Sequence, residues 1–249
     1  MINSVRNTVL SILSKDNRGY LTPEEFNLFA KQAQIDIFEK YFYDYARALS
    51  RQNSRMLHPL YGAETGEGYS NIPAKLAEVI DRFVVTNTLH YNAITSKFYM
   101  PGEDPLFLNE PKAYKLDRLT YNGAVEIDKV DRHKILNLNA SNLTAPSVSY
   151  PVYTVDNQGV KVYPTLIVSG VVADYIRYPK DPKWTYTSLF AGEAVFNQSA
   201  TDYQDFELPD NDEVNLIIKI LQYAGLSIRE NEVVAAAKSE EIQNNQEKI

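Results

Sequence analysis

The sequence predicts an α+β fold in which N- and C-terminal helices pack together as a helical bundle, with a central antiparallel β-rich lobe between them. Three observations lead there. Apolar residues recur at three- and four-residue steps near both ends of the 249-residue chain. Short apolar segments bounded by Gly, Pro, Asn and Asp fill the middle. Helical and strand segments are segregated along the chain and do not alternate, which argues against a parallel α/β sheet. The helical domain is placed at residues 1–88 and 207–249, and the β-rich insertion lobe at 89–206.

The first helix is read over Val5–Leu13, with a turn at Ser14–Gly19. Thr22-Pro23-Glu24-Glu25 then starts a second helix. Thr22 is placed to cap free backbone amides, while Glu25 reaches back to the Thr22 amide. Pro23 falls at the first helical position, where a missing N–H costs nothing. Phe26, Phe29, Ala30, Ala33, Ile37, Tyr41, Tyr45 and Leu49 give one apolar face to a helix ending near Gln52. Asn53–Asn71 reads as loop. Ala74–Phe83 fits either a short helix or the entry to a strand.

Leu89–Met100 reads as a strand, stopped by Pro101–Pro105. Tyr114–Tyr121 and Ala124–Val130 flank Asn122-Gly123, a tight-turn signal. Asp131 is expected to cap a short helix through Leu138. Pro151–Val155 and Val160–Tyr163 flank a four-residue loop, Asp156–Gly159. Leu166–Arg177 reads as a further strand. Asp210–Glu213 puts acids at a helix N-terminus, where the helix dipole favours them. Val214, Ile217, Ile218 and Leu221 are its expected inner face, and Gly225 its expected end. Ser227 and Glu230 form a second capping box for a last helix bearing Val233, Val234, Ala237 and Ile242. A polar tail, Gln243–Ile249, follows.

Composition excludes several functions. The net charge is −7, and Lys and Arg are scattered, so tight nucleic-acid binding is not expected. The absence of cysteine excludes disulfides and thiol nucleophiles. No secretory signal is seen, and the most apolar stretch, Leu166–Val172, is far short of the ~20 residues of a membrane helix. A soluble protein without membrane partners is expected. Tyrosine, at 18 residues, is the outlier, and tyrosine is enriched at protein interfaces.

Motifs for chemistry fall short. An EF-hand alignment puts Ser14, Asp16 and Arg18 at early ligand positions, Gly19 at the turn and Glu25 at the end. A cation at a ligand position opposes calcium, and the capping box already accounts for Thr22 and Glu25. His58, His90 and His133 lack zinc spacing. There is no nucleophile elbow and no phosphate-binding loop. Trp184 with Tyr175, Tyr178 and Tyr186 fits either a sugar-stacking platform or, preferably, a hydrophobic plug at a strand end. The expectation is therefore no enzyme, no metal and no cofactor.

Several segments, in order, resemble a family of tailed-bacteriophage virion proteins. They are Ser14–Asn27 (SKDNRGYLTPEEFN) with Ala33–Phe38, then Leu143–Ser147, Pro151–Tyr153 and Val162–Pro164, then Tyr175–Trp184 (YIRYPKDPKW), then Glu207–Pro209 and Gly225–Arg229. The family is that of head–tail connector, or ring (adaptor), proteins, and the chain is most similar to those of crAss-like podoviruses. The resemblance implies a non-enzymatic subunit of a cyclic homo-oligomer, commonly of about twelve copies. Such a ring docks on the portal protein and joins it to other connector or tail proteins, in the neck of a virion assembled in the host cytoplasm. DNA passes through its channel without specific binding. The alternative is a carbohydrate- or receptor-binding tail module. Val233, Val234, Ala237, Ile242, Tyr178 and Trp184 are the expected partner-interface residues.

Overall fold

A computed structural model gives a mixed α+β fold and describes residues 1–15, 21–56, 72–104, 111–156, 159–188, 194–228 and 239. Among these lie five α-helices and a large curled, mainly antiparallel sheet. The chain divides into two compact units, Met1–Val79 with Pro179–Ile249, and Ile80–Tyr178. The sequence reading set the boundaries at 88/89 and 206/207. The difference has a physical basis. Val84–Thr88 hydrogen-bonds into the sheet. Trp184, Phe206 and Leu208 are buried in the unit that holds the terminal helices.

The helical unit contains α1 (Ile2–Lys15), α2 (Pro23–Met56) and, near its C-terminal end, α5 (Glu213–Ile228). Ile2, Val5, Val9 and Leu13 are buried along one side of α1. Its start is fixed by Asp205, which accepts from the Ile2 N–H at 2.8 Å and pairs with the Met1 ammonium at 3.0 Å. The expected start of α2 is present: the Thr22 N–H donates to Glu25 Oε2 at 2.9 Å and the Glu25 N–H to Thr22 Oγ1 at 3.2 Å. Phe26, Ala30, Ala33 and Ile37 are buried on α2, with Phe38 beside them. From Glu39 to Arg51 no α2 side chain is buried, so Tyr41, Tyr45 and Leu49 are only half-buried.

α5 departs from the reading in two ways. Val214 is exposed, and the deepest residues are Leu216, Ile220 and Ala224, because α1 and α2 both contact this helix. Gly225 lies inside α5 and does not end it. A helical glycine costs about 1 kcal/mol relative to alanine, which the burial around it outweighs. The backbone of Ser227 continues α5. Glu230 and the expected last helix lie outside the described residues. A small hairpin, β9 (Tyr186–Ser188) with β10 (Ala194–Phe196), also belongs to this unit and was not foreseen.

α3 (Ile72–Asp81) leads into the sheet unit and resolves the ambiguous Ala74–Phe83 as helix. The strands are β1 (Val84–Thr88), β2 (Tyr91–Asn92), β3 (Lys97–Tyr99), β4 (Ala113–Tyr121), β5 (Val125–Lys129), β6 (Val152–Asp156), β7 (Gly159–Tyr163) and β8 (Val171–Arg177). Their order is β1-β8-β4-β5-β6-β7-β3-β2. The two outer strands are consecutive in the chain. At their junction the Leu89 N–H donates to Val171 O at 2.8 Å, and His90 O accepts from the Tyr99 N–H at 2.9 Å. One continuous segment thus pairs with β8 on one side and β3 on the other, closing the sheet into a barrel. Alternate residues fill it: Val160 and Val162 of β7, and Val171, Ala173 and Tyr175 of β8, with Phe98, Leu119, Ile127 and Tyr153.

Asn122 and Gly123 both adopt positive φ, as the tight turn between β4 and β5 requires. Leu89–Met100 is two strands and not one. Asn92 Oδ1 accepts from the Ile94 N–H at 2.9 Å and folds the chain back. The β6–β7 pairing runs through Asp156 and Gly159, so those residues end strands and only 157–158 lie between them. Leu166 belongs to a turn in which the Ile167 N–H reaches Pro164 O at 3.1 Å, and β8 begins only at Val171. β5 and β6 run parallel, which forces a crossover carrying α4 (Lys134–Ala140). The residue preceding α4 is His133, with no side-chain cap; Asp131 accepts from the Lys134 N–H through its backbone carbonyl at 2.9 Å, and its carboxylate pairs with the Lys134 ammonium at 3.5 Å without capping a helix amide.

Candidate docking surfaces

Trp184 is the largest fully buried side chain of the helical unit, at 2% exposure. Its indole N–H donates to Asn3 Oδ1 at 3.1 Å. Its backbone is held from both sides by the Asn27 amide. The Arg6 guanidinium lies 3.7 Å from the ring centroid, and Tyr186 and Phe196 stack nearby. A ring enclosed in this way offers no face to a sugar or a partner. The expectation of Trp184 as an interface residue is corrected: it is the plug that joins α1, α2 and the β9–β10 hairpin.

Tyr178, by contrast, is 36% exposed at the end of the sheet unit, edge-on to Tyr114 at 5.1 Å. Its N–H donates to Lys112 O at 3.0 Å. Val233, Val234, Ala237 and Ile242 lie outside the described residues, as do Asp16, Arg18 and Gly19 of the EF-hand-like turn. Of the six expected interface residues the described ones are Tyr178, in the sheet unit, and Trp184, in the helical unit.

The crossover from Asp131 to Tyr150 is the most exposed segment among the described residues of the sheet unit. Only Ile135 is buried within it, while Leu136 is 74%, Leu143 94% and Tyr150 80% exposed. From Ile135 to Tyr150 it carries no charge. An uncharged arm with several large apolar side chains in water is a candidate contact surface. The signal was present in the sequence as a polar, charge-free stretch between two strands, but periodicity does not reveal exposure there.

No protein-family model matches the chain, and no curated protein matches it.

Two clefts lie apart from the exposed apolar side chains of the Asp131–Tyr150 arm. A cleft of about 40 Å³ lies between α2 and α5, beside Tyr41, Asp44, Asp212 and Asn215. Tyr41 donates to Asp212 there, and Asn215 Nδ2 donates to Asp212 at 2.7 Å. An open groove of about 370 Å³ lies between the end of β5 and α4, lined by Lys129, Asp131, Lys134 and Asn137. Among the described residues no three His, Asp or Glu side chains are grouped as a metal site would need, and no helix is long and apolar enough to cross a membrane.

Four carboxyls among the described residues, those of Glu25, Asp174, Asp202 and Asp205, lie below their ordinary pKa. Thr22 lowers Glu25, first through its backbone N–H. The Thr86 hydroxyl lowers Asp174, with Arg118 assisting. Lys183 lowers Asp202. Burial pushes Asp205 up, but the Ile2 N–H, the Met1 ammonium and the Phe206 N–H together hold it below its ordinary value. Each shift has a structural cause in a cap, a cross-strand pair or a chain anchor.

Proposed function

We propose that the chain is a virion structural protein, a subunit of a cyclic ring in the head-to-tail connector of a tailed bacteriophage. In this reading α1, α2 and α5 act as one helical bundle, and the ring docks on the portal and joins it to the tail around the DNA channel. The observation that carries the reading is the Asp131–Tyr150 arm, whose exposed Leu136, Leu143 and Tyr150 suit contact with another protein. Part of this arm, Leu143–Ser147, is also a segment through which the sequence resembles ring proteins.

Charge supports the same reading. The sheet unit is balanced, with ten basic and ten acidic residues, so the helical unit holds the entire net charge of −7. An acidic wall repels the phosphate backbone and lets DNA pass without adhering. Single-particle imaging and light scattering of the purified chain, alone and mixed with the portal protein of its parent phage, test the proposal. Cyclic particles, or stable portal complexes, are the expected result. A chain that stays monomeric and leaves the portal unbound overturns it.

A further inference from the structure

α2 is 34 residues long, yet from Glu39 to Arg51 none of its side chains is buried. On the exposed half, Tyr43, Arg47 and Arg51 recur at every fourth residue and so lie in one line along the helix. Tyr43 is 67% exposed, and both arginines are exposed. Neither arginine has an ion-pair partner among the described residues. Tyr and Arg are the side chains that most often carry interface energy, since each combines large contact area with directional hydrogen bonding.

The stripe is opposite in sign to the unit that bears it. From Tyr43 to Arg51 the helix holds Asp44, Arg47 and Arg51, while the helical unit as a whole is at −7. Exposed acids elsewhere on that unit include Glu24, Glu39 and Asp210, none with an ion-pair partner among the described residues. A chain with a small basic stripe and exposed acids elsewhere on a unit of net charge −7 is complementary to another copy of itself. When the two contacting patches differ, the contact is head-to-tail, and head-to-tail contacts form rings where the rotation between copies closes and open filaments where it does not. Duplex DNA fits less well, because two arginines neutralise few phosphates and the rest of the unit repels the polymer.

We infer that the Tyr43–Arg47–Arg51 stripe of α2 docks on the acidic helical unit of a second copy of this chain. The inference rests on the ring reading above and names the surface through which neighbouring copies meet. Opposite charges across such a contact also speed encounter and set its register.

The test compares wild-type chain with R47E/R51E and Y43A by light scattering and sedimentation, with and without the portal protein. Both variants change exposed positions, so their circular dichroism and melting temperature should match wild type. Wild-type association should weaken as salt rises from about 50 mM to about 500 mM, where screening shortens the reach of exposed charges. R47E/R51E should associate at least about tenfold more weakly, and Y43A should also weaken. R47E/R51E keeps its acidic surface, so adding it to wild type should cap growing assemblies and lower their mass.

Rings of R47E/R51E as stable as wild type overturn the inference and leave the ring reading standing. Absence of any assembly, with or without portal, removes both. Salt-sensitive binding of wild type to a fluorescent duplex, lost in R47E/R51E while assembly persists, overturns the assignment in favour of DNA.

Discussion

Asn27 grips the backbone of Trp184 with both ends of its amide. Its Oδ1 accepts from the Trp184 N–H at 2.8 Å and its Nδ2 donates to the Trp184 carbonyl at 3.1 Å. The side chain thus stands in for a neighbouring strand, satisfying two backbone groups of an otherwise irregular segment. Asn27→Ala removes both bonds and is expected to cost about 2–4 kcal/mol, since each orphaned buried group costs about 1–3 kcal/mol. Trp184→Ala deletes the plug itself, for about 3–5 kcal/mol. Urea denaturation followed by circular dichroism measures both. Wild-type stability in Trp184→Ala would return this residue to the role of a surface contact.

Gly159 lets β7 approach β3. A Cβ at this position would sit 2.4 Å from the Phe98 carbonyl oxygen, a backbone atom held by the β3–β7 pairing. Gly159→Ala must therefore push β3 and β7 apart, at an expected cost of about 1–3 kcal/mol. Gly123 gives the contrast. A Cβ there meets nothing, and the penalty arises only from its φ of +68°. Gly123→Ala should cost about 1 kcal/mol. Thermal melting of the two variants side by side checks the ranking.

The strong local signals of the sequence were the ones that held. Thr22–Glu25 and Asn122-Gly123 encode their geometry within four residues, so no distant contact overrides them. Gly225 and Val214 misled because burial of α5 against two helices, a tertiary fact, outweighs a local stop signal and an apolar pattern. The closure of the barrel was illegible for the same reason: it depends on Leu89 and His90 bonding in opposite directions, His90 to the nearby β3 but Leu89 to β8, far along the chain. The exposed stripe on α2 lay on the page as Tyr43, Arg47 and Arg51. The apolar repeat through Tyr41, Tyr45 and Leu49 instead suggested that one packed face ran on to the end of the helix.

Asp174 links three strands on the outside of the barrel. The Thr86 hydroxyl of β1 donates to it at 2.6 Å, and Arg118 of β4 pairs with it at 3.0 Å. The Thr86 bond, with help from Arg118, holds its carboxyl below the ordinary value of 3.8. A folded pKa below the unfolded one means that the contribution is fully present above the unfolded value and is lost as pH falls through the folded one. The wild-type chain should therefore lose stability below about pH 4, part of it through this site. Asp174→Asn should be less stable than wild type at neutral pH and should approach it as pH falls. Melting temperatures measured between neutrality and about pH 2.5 test the crossover. A constant gap across that range would show that Asp174 acts by shape and not by charge.

The start of α2 offers a cleaner separation of cap from charge. Thr22 Oγ1 accepts from the Glu25 N–H while its own hydroxyl donates to Glu25 Oε2 at 2.8 Å. Thr22→Ala removes the cap acceptor and should cost about 1 kcal/mol, within the range of about 0.5–2 kcal/mol for N-cap deletions. Thr22→Asp keeps an acceptor for the helix amides but sets a second negative charge against Glu25. It should fall between Thr22→Ala and wild type at neutral pH and improve in acid. Glu25→Gln retains an oxygen for the Thr22 N–H and should be the mildest of the three, because the amide keeps the reciprocal bond and loses only its charge-dipole part. The Thr22 bonds hold the Glu25 carboxyl below its ordinary value of 4.5, so Glu25→Gln and wild type should converge only at a pH under that value. Chemical denaturation of the set at two pH values gives the order. A Glu25→Gln variant less stable than Thr22→Ala would show that the carboxylate has a second role at this turn, beyond capping.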